Sequence, residues 1–190
     1  LPDLDGWELA AKWKPAREVG GDFYDVFELP RKKVGLLIAD VSDKGIPAAL
    51  FMALTRTVIR ASVHELESPA LVMKRVNEII FRDNRESMFV TAIYGVMSLD
   101  SGTFVYTNAG HNPPIWISTK SKEPKYLNRT GPALGVIEDA EILESEIKIK
   151  KGDSLLLYTD GLIEVFSPEG LFFGIENVVK TINSINFSSN

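Results

Sequence analysis

The chain has 190 residues, 45% hydrophobic and 25% charged, with a formal net charge of -5 and no cysteine. That length fits one domain with a sizeable core, and the composition excludes intrinsic disorder. The absent thiols exclude disulfides, zinc–thiolate sites and cysteine nucleophiles, while only two histidines, His64 and His111, exclude histidine-rich metal sites. An acidic balance without a block of like charges argues against a nucleic-acid surface. No apolar stretch approaches the roughly 20 residues that span a bilayer, and no signal-peptide pattern opens the chain. The first residue is Leu1, not methionine, so the expectation is a domain excised from a longer protein.

Trp7 to Trp13 alternates weakly and predicts a strand. Phe23 to Leu29 and Val34 to Ala39 predict two more, joined by a turn over Pro30 to Lys33. The period changes over residues 46–63, where Leu50, Leu54, Val58 and Ala61 share a helical face and Pro47 sits in the first turn. A second helix starts at Pro69, with Ser68 as its N-cap and Val72, Val76, Ile79 and Ile80 inward. Phe89 to Leu99 is a long strand, turning at Asp100-Ser101-Gly102 into Thr103 to Thr107. Further strands are expected at Ile115 to Ser118, Lys125 to Leu127, Ile142 to Ile149 and Ser154 to Thr159, and a last helix at Ile175 to Ile185.

One strand speaks to architecture. Phe89, Thr91, Ile93, Gly95 and Met97 face one side, Val90, Ala92, Tyr94 and Val96 the other, and both sides are largely apolar. A hairpin-connected sheet usually leaves one face wet. A sheet buried on both faces calls for a second sheet on one side and helices on the other. The expected fold is therefore α+β, a layered α-β-β-α sandwich of two antiparallel sheets flanked by helices.

Two apolar runs end abruptly in aspartate, Leu36-Leu37-Ile38-Ala39-Asp40 and Leu155-Leu156-Leu157-Tyr158-Thr159-Asp160, and a third aspartate, Asp22, follows Gly20-Gly21. Single aspartates after strands are usually turn residues. Three together favour a site for hard divalent cations, which take several fixed oxygen ligands. Two such ions roughly 4 Å apart can share a carboxylate, polarise a phosphoryl group and activate a water. Around Asp40, backbone carbonyls are candidate ligands, while Ser42 and Asp43 read first as N-caps of the next helix. His111, in Ala109-Gly110-His111-Asn112-Pro113-Pro114, is either a general acid or a structural hydrogen-bonder, and the rigid loop favours the second. Lys44 and Arg129 read as solvated surface and Glu164 as structural; His64 carries no functional reading.

Five motifs occur in order: Gly-Gly-Asp-Phe-Tyr-Asp at 20–25, Asp-Val-Ser-Asp-Lys-Gly at 40–45, Ala-Gly-His-Asn-Pro-Pro at 109–114, Gly-Pro-Ala-Leu-Gly at 131–135 and Tyr-Thr-Asp-Gly-Leu-Ile-Glu at 158–164. Together they resemble the bacterial SpoIIE/RsbU-type branch of the metal-dependent PPM (protein phosphatase 2C-like) serine/threonine phosphatases, from about Trp7 to Gly174. The resemblance implies two packed antiparallel sheets with flanking helices and a centre of two divalent cations, Mn²⁺ or Mg²⁺. It implies Asp40 as the bridging ligand, the Val41 carbonyl on the second metal, Asp160 on the first, and Asp22 holding metal-bound waters or the second metal. A metal-activated water would attack phosphorus directly, without a phospho-enzyme.

The resemblance further implies a phosphoserine or phosphothreonine substrate on a small anti-sigma-factor antagonist, control by an upstream sensor or receiver domain, and a cytoplasmic setting without nucleic-acid or membrane contact; it also allows a homodimer. The helix after Asp40 and the segment from Ser68 are the natural places for such control. The sequence departs from the family at its end. Members close with a helix and a strand bearing an Asp-Asp pair, whereas Asp160 is the last aspartate here. Residues 1–190 therefore read as a single phosphatase domain one metal-binding carboxylate short. A pseudophosphatase that binds a partner without turnover is the second reading, and a hydrolase of another phosphoester the third.

Overall fold

Residues 23–41 fold as the hairpin that their alternation predicts. The computed structural model describes residues 1–14, 20–83, 88–120, 123–166 and 170–184. In chain order its elements are β1 (Phe23–Leu29), β2 (Lys33–Val41), α1 (Ile46–Glu65), α2 (Pro69–Asp83), β3 (Val90–Ser98), β4 (Thr103–Ala109), β5 (Ile115–Ile117), β6 (Pro124–Tyr126), β7 (Ser145–Lys148), β8 (Ser154–Leu156) and α3 (Gly174–Ser184). They form two compact units, residues 1–111 with 129–148, and residues 112–128 with 149–190. Ile185, the expected end of the last helix, lies outside the described residues.

The first unit holds an antiparallel sheet in the order β1-β2-β3-β4-β7. β3 is buried on both faces, as its sequence predicts. On one face Leu37, Ala39 and Val41 of β2 and Val90, Ala92, Tyr94 and Val96 of β3 share a hydrophobic cluster with residues of α1 and α2. On the other, Ile93, Met97, Phe104 and Tyr106 are buried. Gly95 has no side chain because Phe104 occupies its place: a Cβ there would lie 2.3 Å from the ring.

α1 does not turn inward the face its sequence predicts. Ala48, Phe51, Thr55, Ile59, Ser62 and Val63 are buried, while Leu50 is 68% exposed and Leu54 and Ala61 are also exposed. The reason is electrostatic. Asp25 of β1, only 8% exposed, receives Arg56 Nε at 3.0 Å and Arg60 Nε at 2.8 Å. A buried carboxylate is costly unless paired, and Arg56 and Arg60 lie one turn apart on one face, so this pairing sets the rotation of the helix. By length and composition alone α1 is apolar enough to cross a membrane, with a mean hydropathy of 1.3, which corrects the expectation that no such stretch exists.

α2 begins as predicted: Ser68 Oγ accepts the Leu71 N–H at 3.3 Å. Glu144 adds a carboxylate at the same end, accepting from Ser68 Oγ at 2.6 Å and from the Ala70 N–H at 3.3 Å, where the helix dipole favours negative charge. Val72, Val76 and Ile80 are buried and Ile79 half-buried. The predicted strand over Trp7 to Trp13 is absent. Trp7 makes only an isolated bridge with Leu4, and its indole donates to the Leu99 carbonyl at 3.2 Å. The Trp13 indole donates to the Asp22 carbonyl at 3.3 Å, so the segment is held by its two indoles rather than by a backbone ladder.

The second unit has a three-stranded antiparallel sheet, β6-β5-β8. Ile115, Tyr158 and Val178 form its core, with Ile117, Leu156, Ile163, Ile175, Val179 and Ile182 against them. Asp153 ties the unit together: it accepts from the Thr119 N–H at 3.0 Å, the Lys150 N–H at 3.1 Å and the Trp116 indole at 3.3 Å. Burial alone would raise its pKa, but hydrogen bonds from Thr119, Lys150, Trp116 and Ser118 outweigh that and hold it below the ordinary 3.8. A depressed folded-state pKa contributes stability above the unfolded value, lost as pH falls through the folded one. Asp153→Asn is therefore expected to lower the thermal midpoint near neutral pH. The gap from the unsubstituted chain should close as the medium is acidified below pH 3.8, which thermal melts across that range would check.

Candidate metal centre

Asp40 is the penultimate residue of β2 and lies directly across from Thr91 of β3. The β1–β2 register pairs Phe23 with Ala39, so its continuation by one residue brings Asp22 beside Asp40 at the same sheet end. One step further, Gly21 meets Val41. A Cβ on Gly21 would lie 2.7 Å from the Val41 carbonyl oxygen and 3.2 Å from the Val41 Cβ. A side chain at that position would press on the carbonyl. Gly21→Ala is expected to force the end of β1 away from β2, at a cost of about 1–3 kcal/mol, measurable by denaturant unfolding.

Beyond Val41 the chain turns sharply into α1. Asp43 adopts φ 75° and Gly45 φ 87°. The Ser42 N–H donates to the Phe89 carbonyl at 2.9 Å, and Ser42 Oγ accepts the Phe89 N–H at 2.8 Å. Asp43 Oδ1 accepts the adjacent Lys44 N–H at 2.9 Å. Neither residue caps α1, contrary to the sequence reading; Gly45 is the N-cap and has no side-chain bond to offer. The two side chains are used to fix the loop because its reversal is complete before the helix begins.

Three segments far apart in sequence meet at the start of β3. Val90 pairs with Val41 and bridges Leu134; Ala92 pairs with Ala39 and bridges Gly110; Ala109 bridges Gly131. Gly110, at φ 73°, would place a Cβ 2.8 Å from the Ala133 backbone nitrogen. Between these bridges Thr91 Oγ1 and His111 Nδ1 are 2.8 Å apart. His111 is 2% exposed; its N–H donates to Asn108 Oδ1 at 2.8 Å, and its carbonyl accepts from Arg129 Nε at 3.2 Å. A histidine so enclosed is a structural hydrogen-bonder, the option the rigid loop favoured. Arg129 is exposed, as its sequence reading has it, and lends one N–H to that carbonyl. Thr91 carried no signal beyond being a hydroxyl on an otherwise apolar strand face.

In the second unit Asp160 opens a single 3₁₀ turn, Asp160–Leu162, and its carbonyl accepts the N–H groups of Ile163 at 2.8 Å and Glu164 at 2.9 Å. β8 stops at Leu156, so Asp160 sits on a turn four residues past a strand rather than at its tip. The sequence expected the strand to reach Thr159; the backbone leaves the ladder earlier because β5, its partner, is three residues long. Among the described residues, no group of three or more His, Cys, Asp or Glu side chains is placed to hold a metal ion. What the sheet end of the first unit offers is Asp22, Asp40 and the Val41 carbonyl, an all-oxygen donor set of the kind Mg²⁺ and Mn²⁺ accept.

The chain matches the family described as Stage II sporulation protein E (SpoIIE) over residues 30–189. It is 32% identical to Protein IcfG of Synechocystis sp. across 100% of the chain and 34% of that protein. It is 30% identical to Phosphoserine phosphatase RsbU of Bacillus subtilis across 90% of the chain and 50% of that protein. The chain thus spans between a third and a half of these curated relatives. Among solved structures, the SiaA-PP2C domain of Pseudomonas aeruginosa superposes with a TM-score of 0.78 at 21% identity, covering 90% of this chain and 69% of that one. The fold is PP2C-like, mixed α+β with two antiparallel sheets, and the chain belongs to the SpoIIE family.

Proposed function

We propose that this domain is a metal-dependent protein serine/threonine phosphatase. The observation that carries the reading is the meeting of Asp22, Asp40 and the Val41 carbonyl at one sheet end, with a side-chain-free Gly21 beside the carbonyl. In this reading Asp40 would hold both of two divalent cations, Mn²⁺ or Mg²⁺, with the Val41 carbonyl and Asp22 on the second and Asp160 on the first. Bound there, the cations would supply an acidified water nucleophile and neutralise charge on the phosphoryl oxygens. The protein's part is to hold the carboxylates: β2 and β3 fix Asp40, and the Ser42–Phe89 lock fixes Val41. With no cysteine and His111 buried, the chain offers no conventional nucleophile–base pair there, which favours direct attack by water.

The substrate is a phosphoserine or phosphothreonine protein, of the anti-sigma-factor antagonist type; the likeness to Phosphoserine phosphatase RsbU supports the phosphoserine part of this reading. The same proposal includes the α-β-β-α layering, a cytoplasmic setting and an upstream sensor or receiver domain. The second reading, a partner-binding pseudophosphatase, is favoured by one observation: among the described residues, no three His, Cys, Asp or Glu side chains are placed to hold a metal ion. Dephosphorylation of a phosphoserine protein, with Mn²⁺ and with chelator, separates them. Metal-dependent turnover is expected, by this chain or by a longer one. Substrate binding without turnover in both would establish the pseudophosphatase instead.

A further inference from the structure

We propose that Trp13 and Phe89 are specificity-determining residues that select apolar side chains beside the phosphoserine of a protein substrate. The inference rests on the phosphatase reading, in which a phosphoserine enters at the sheet end holding Asp22, Asp40 and the Val41 carbonyl. The Trp13 indole donates to the Asp22 carbonyl at 3.3 Å, so the ring is anchored where β1 begins. Phe89 precedes Val90, the strand partner of Val41. The Ser42 N–H donates to the Phe89 carbonyl at 2.9 Å, and Ser42 Oγ accepts the Phe89 N–H at 2.8 Å. β1 and β3 lie on either side of β2, the strand that carries Asp40. The two aromatic residues are therefore anchored on opposite sides of Asp40, at points two strand spacings or roughly 10 Å apart.

Trp13 is 53% exposed and Phe89 40%. Single apolar side chains at a surface are ordinary and need no explanation. These two differ in being held, one by its ring nitrogen and the other by both of its backbone groups. Strand alternation, carried one residue before β3, sets Phe89 on the face of Thr91, which is the face of Asp40 across the ladder. A ring that is already held loses little conformational freedom when a partner covers it, and tryptophan leads among the residues that carry binding energy at protein surfaces. The phosphoryl group is the same on every phosphoserine protein, so the carboxylates that serve it cannot tell one substrate from another. Selection falls to the groups around them, and exposed rings there favour apolar neighbours, whose contact removes both surfaces from water.

Two phosphoserine peptides test this, alike except that the two residues on each side of the phosphoserine are leucine in one and glutamine in the other. With Mn²⁺, kcat/KM is expected to be about tenfold higher for the leucine peptide. Trp13→Ala and Phe89→Ala are each expected to cut that ratio to about threefold or less, while Trp13→Phe, which keeps a ring without the indole N–H, retains most of it. A ratio between peptides is unmoved by damage at the metal site that slows both alike. Circular dichroism identifies any variant that fails to fold. Equal kcat/KM for the two peptides, or an unchanged ratio in folded Trp13→Ala and Phe89→Ala, would overturn the inference and leave the phosphatase reading standing. If neither peptide turns over, fluorescence anisotropy of the labelled peptides with Mn²⁺ reads the same ratio in Kd. A leucine preference lost in the variants would then uphold the inference for a domain that binds without turnover. Equal Kd values would overturn it, and binding of neither peptide would overturn both readings.

Discussion

Asp40→Asn is expected to lower kcat/KM for a phosphoserine protein by roughly three orders of magnitude, about 4 kcal/mol of transition-state stabilisation, with the fold intact. The substitution is nearly isosteric, and Asp40 is half-buried near the end of a strand paired on both sides. The ladder that holds β2 uses backbone groups, so a neutral amide should leave it in place. What changes is charge: a bridging carboxylate draws two cations together, and an amide cannot. Initial rates at several Mn²⁺ concentrations, with a thermal melt on the same sample, check both halves. Activity in Asp40→Asn equal to that of the unsubstituted chain would sink the two-metal mechanism. A large loss of melting temperature would assign Asp40 to the fold instead.

Asn77→Ala should be among the most destabilising single changes in the first unit, at about 2–4 kcal/mol. Asn77, on α2, is 2% exposed. Its amide nitrogen donates to the carbonyls of Ile137 at 2.8 Å and Glu138 at 2.9 Å, and its oxygen accepts the Gly135 N–H at 2.8 Å. The residues it captures follow Leu134, which makes reciprocal backbone bonds with Val90, the strand partner of Val41. Alanine would abandon these groups and leave a void beside Val76 and Ile80. Urea unfolding measures the loss. Asn77→Asp, which keeps an acceptor but no amide donor, is expected to fall at least as far, because it would set a carboxylate against two carbonyl oxygens.

The sheet and most of its hairpins were legible in the sequence because alternation is a local property. The two-sided burial of β3 was legible from the apolar residues on both its faces, and the Ser68 cap from its place before a proline-led helix. The burial of Asn77 was not read, although it leaves a trace: a polar residue four positions after Met73 and three before Ile80, both buried. The face of α1 was not legible at all. Leu50 and Leu54 compete with Ala48, Phe51 and Ile59 on a helix apolar on several sides, so periodicity alone could not choose between them.

The candidate site divides along the same line. Asp22, Asp40 and Asp160 stand out as acids beside glycines or after apolar runs, and their chemistry follows from residue type. The sequence by itself determined the family, most of the strands and the acids that the proposed chemistry requires, because these depend on composition and near neighbours. The tertiary structure alone decided that Asp25 turns α1 through Arg56 and Arg60, that Gly21 lies close against the Val41 carbonyl, and that His111 lies buried against Thr91, across from Asp40. Each of those contacts joins residues twenty or more positions apart, where pairing is set by strand register and by the cost of burying an unpartnered charge or polar group.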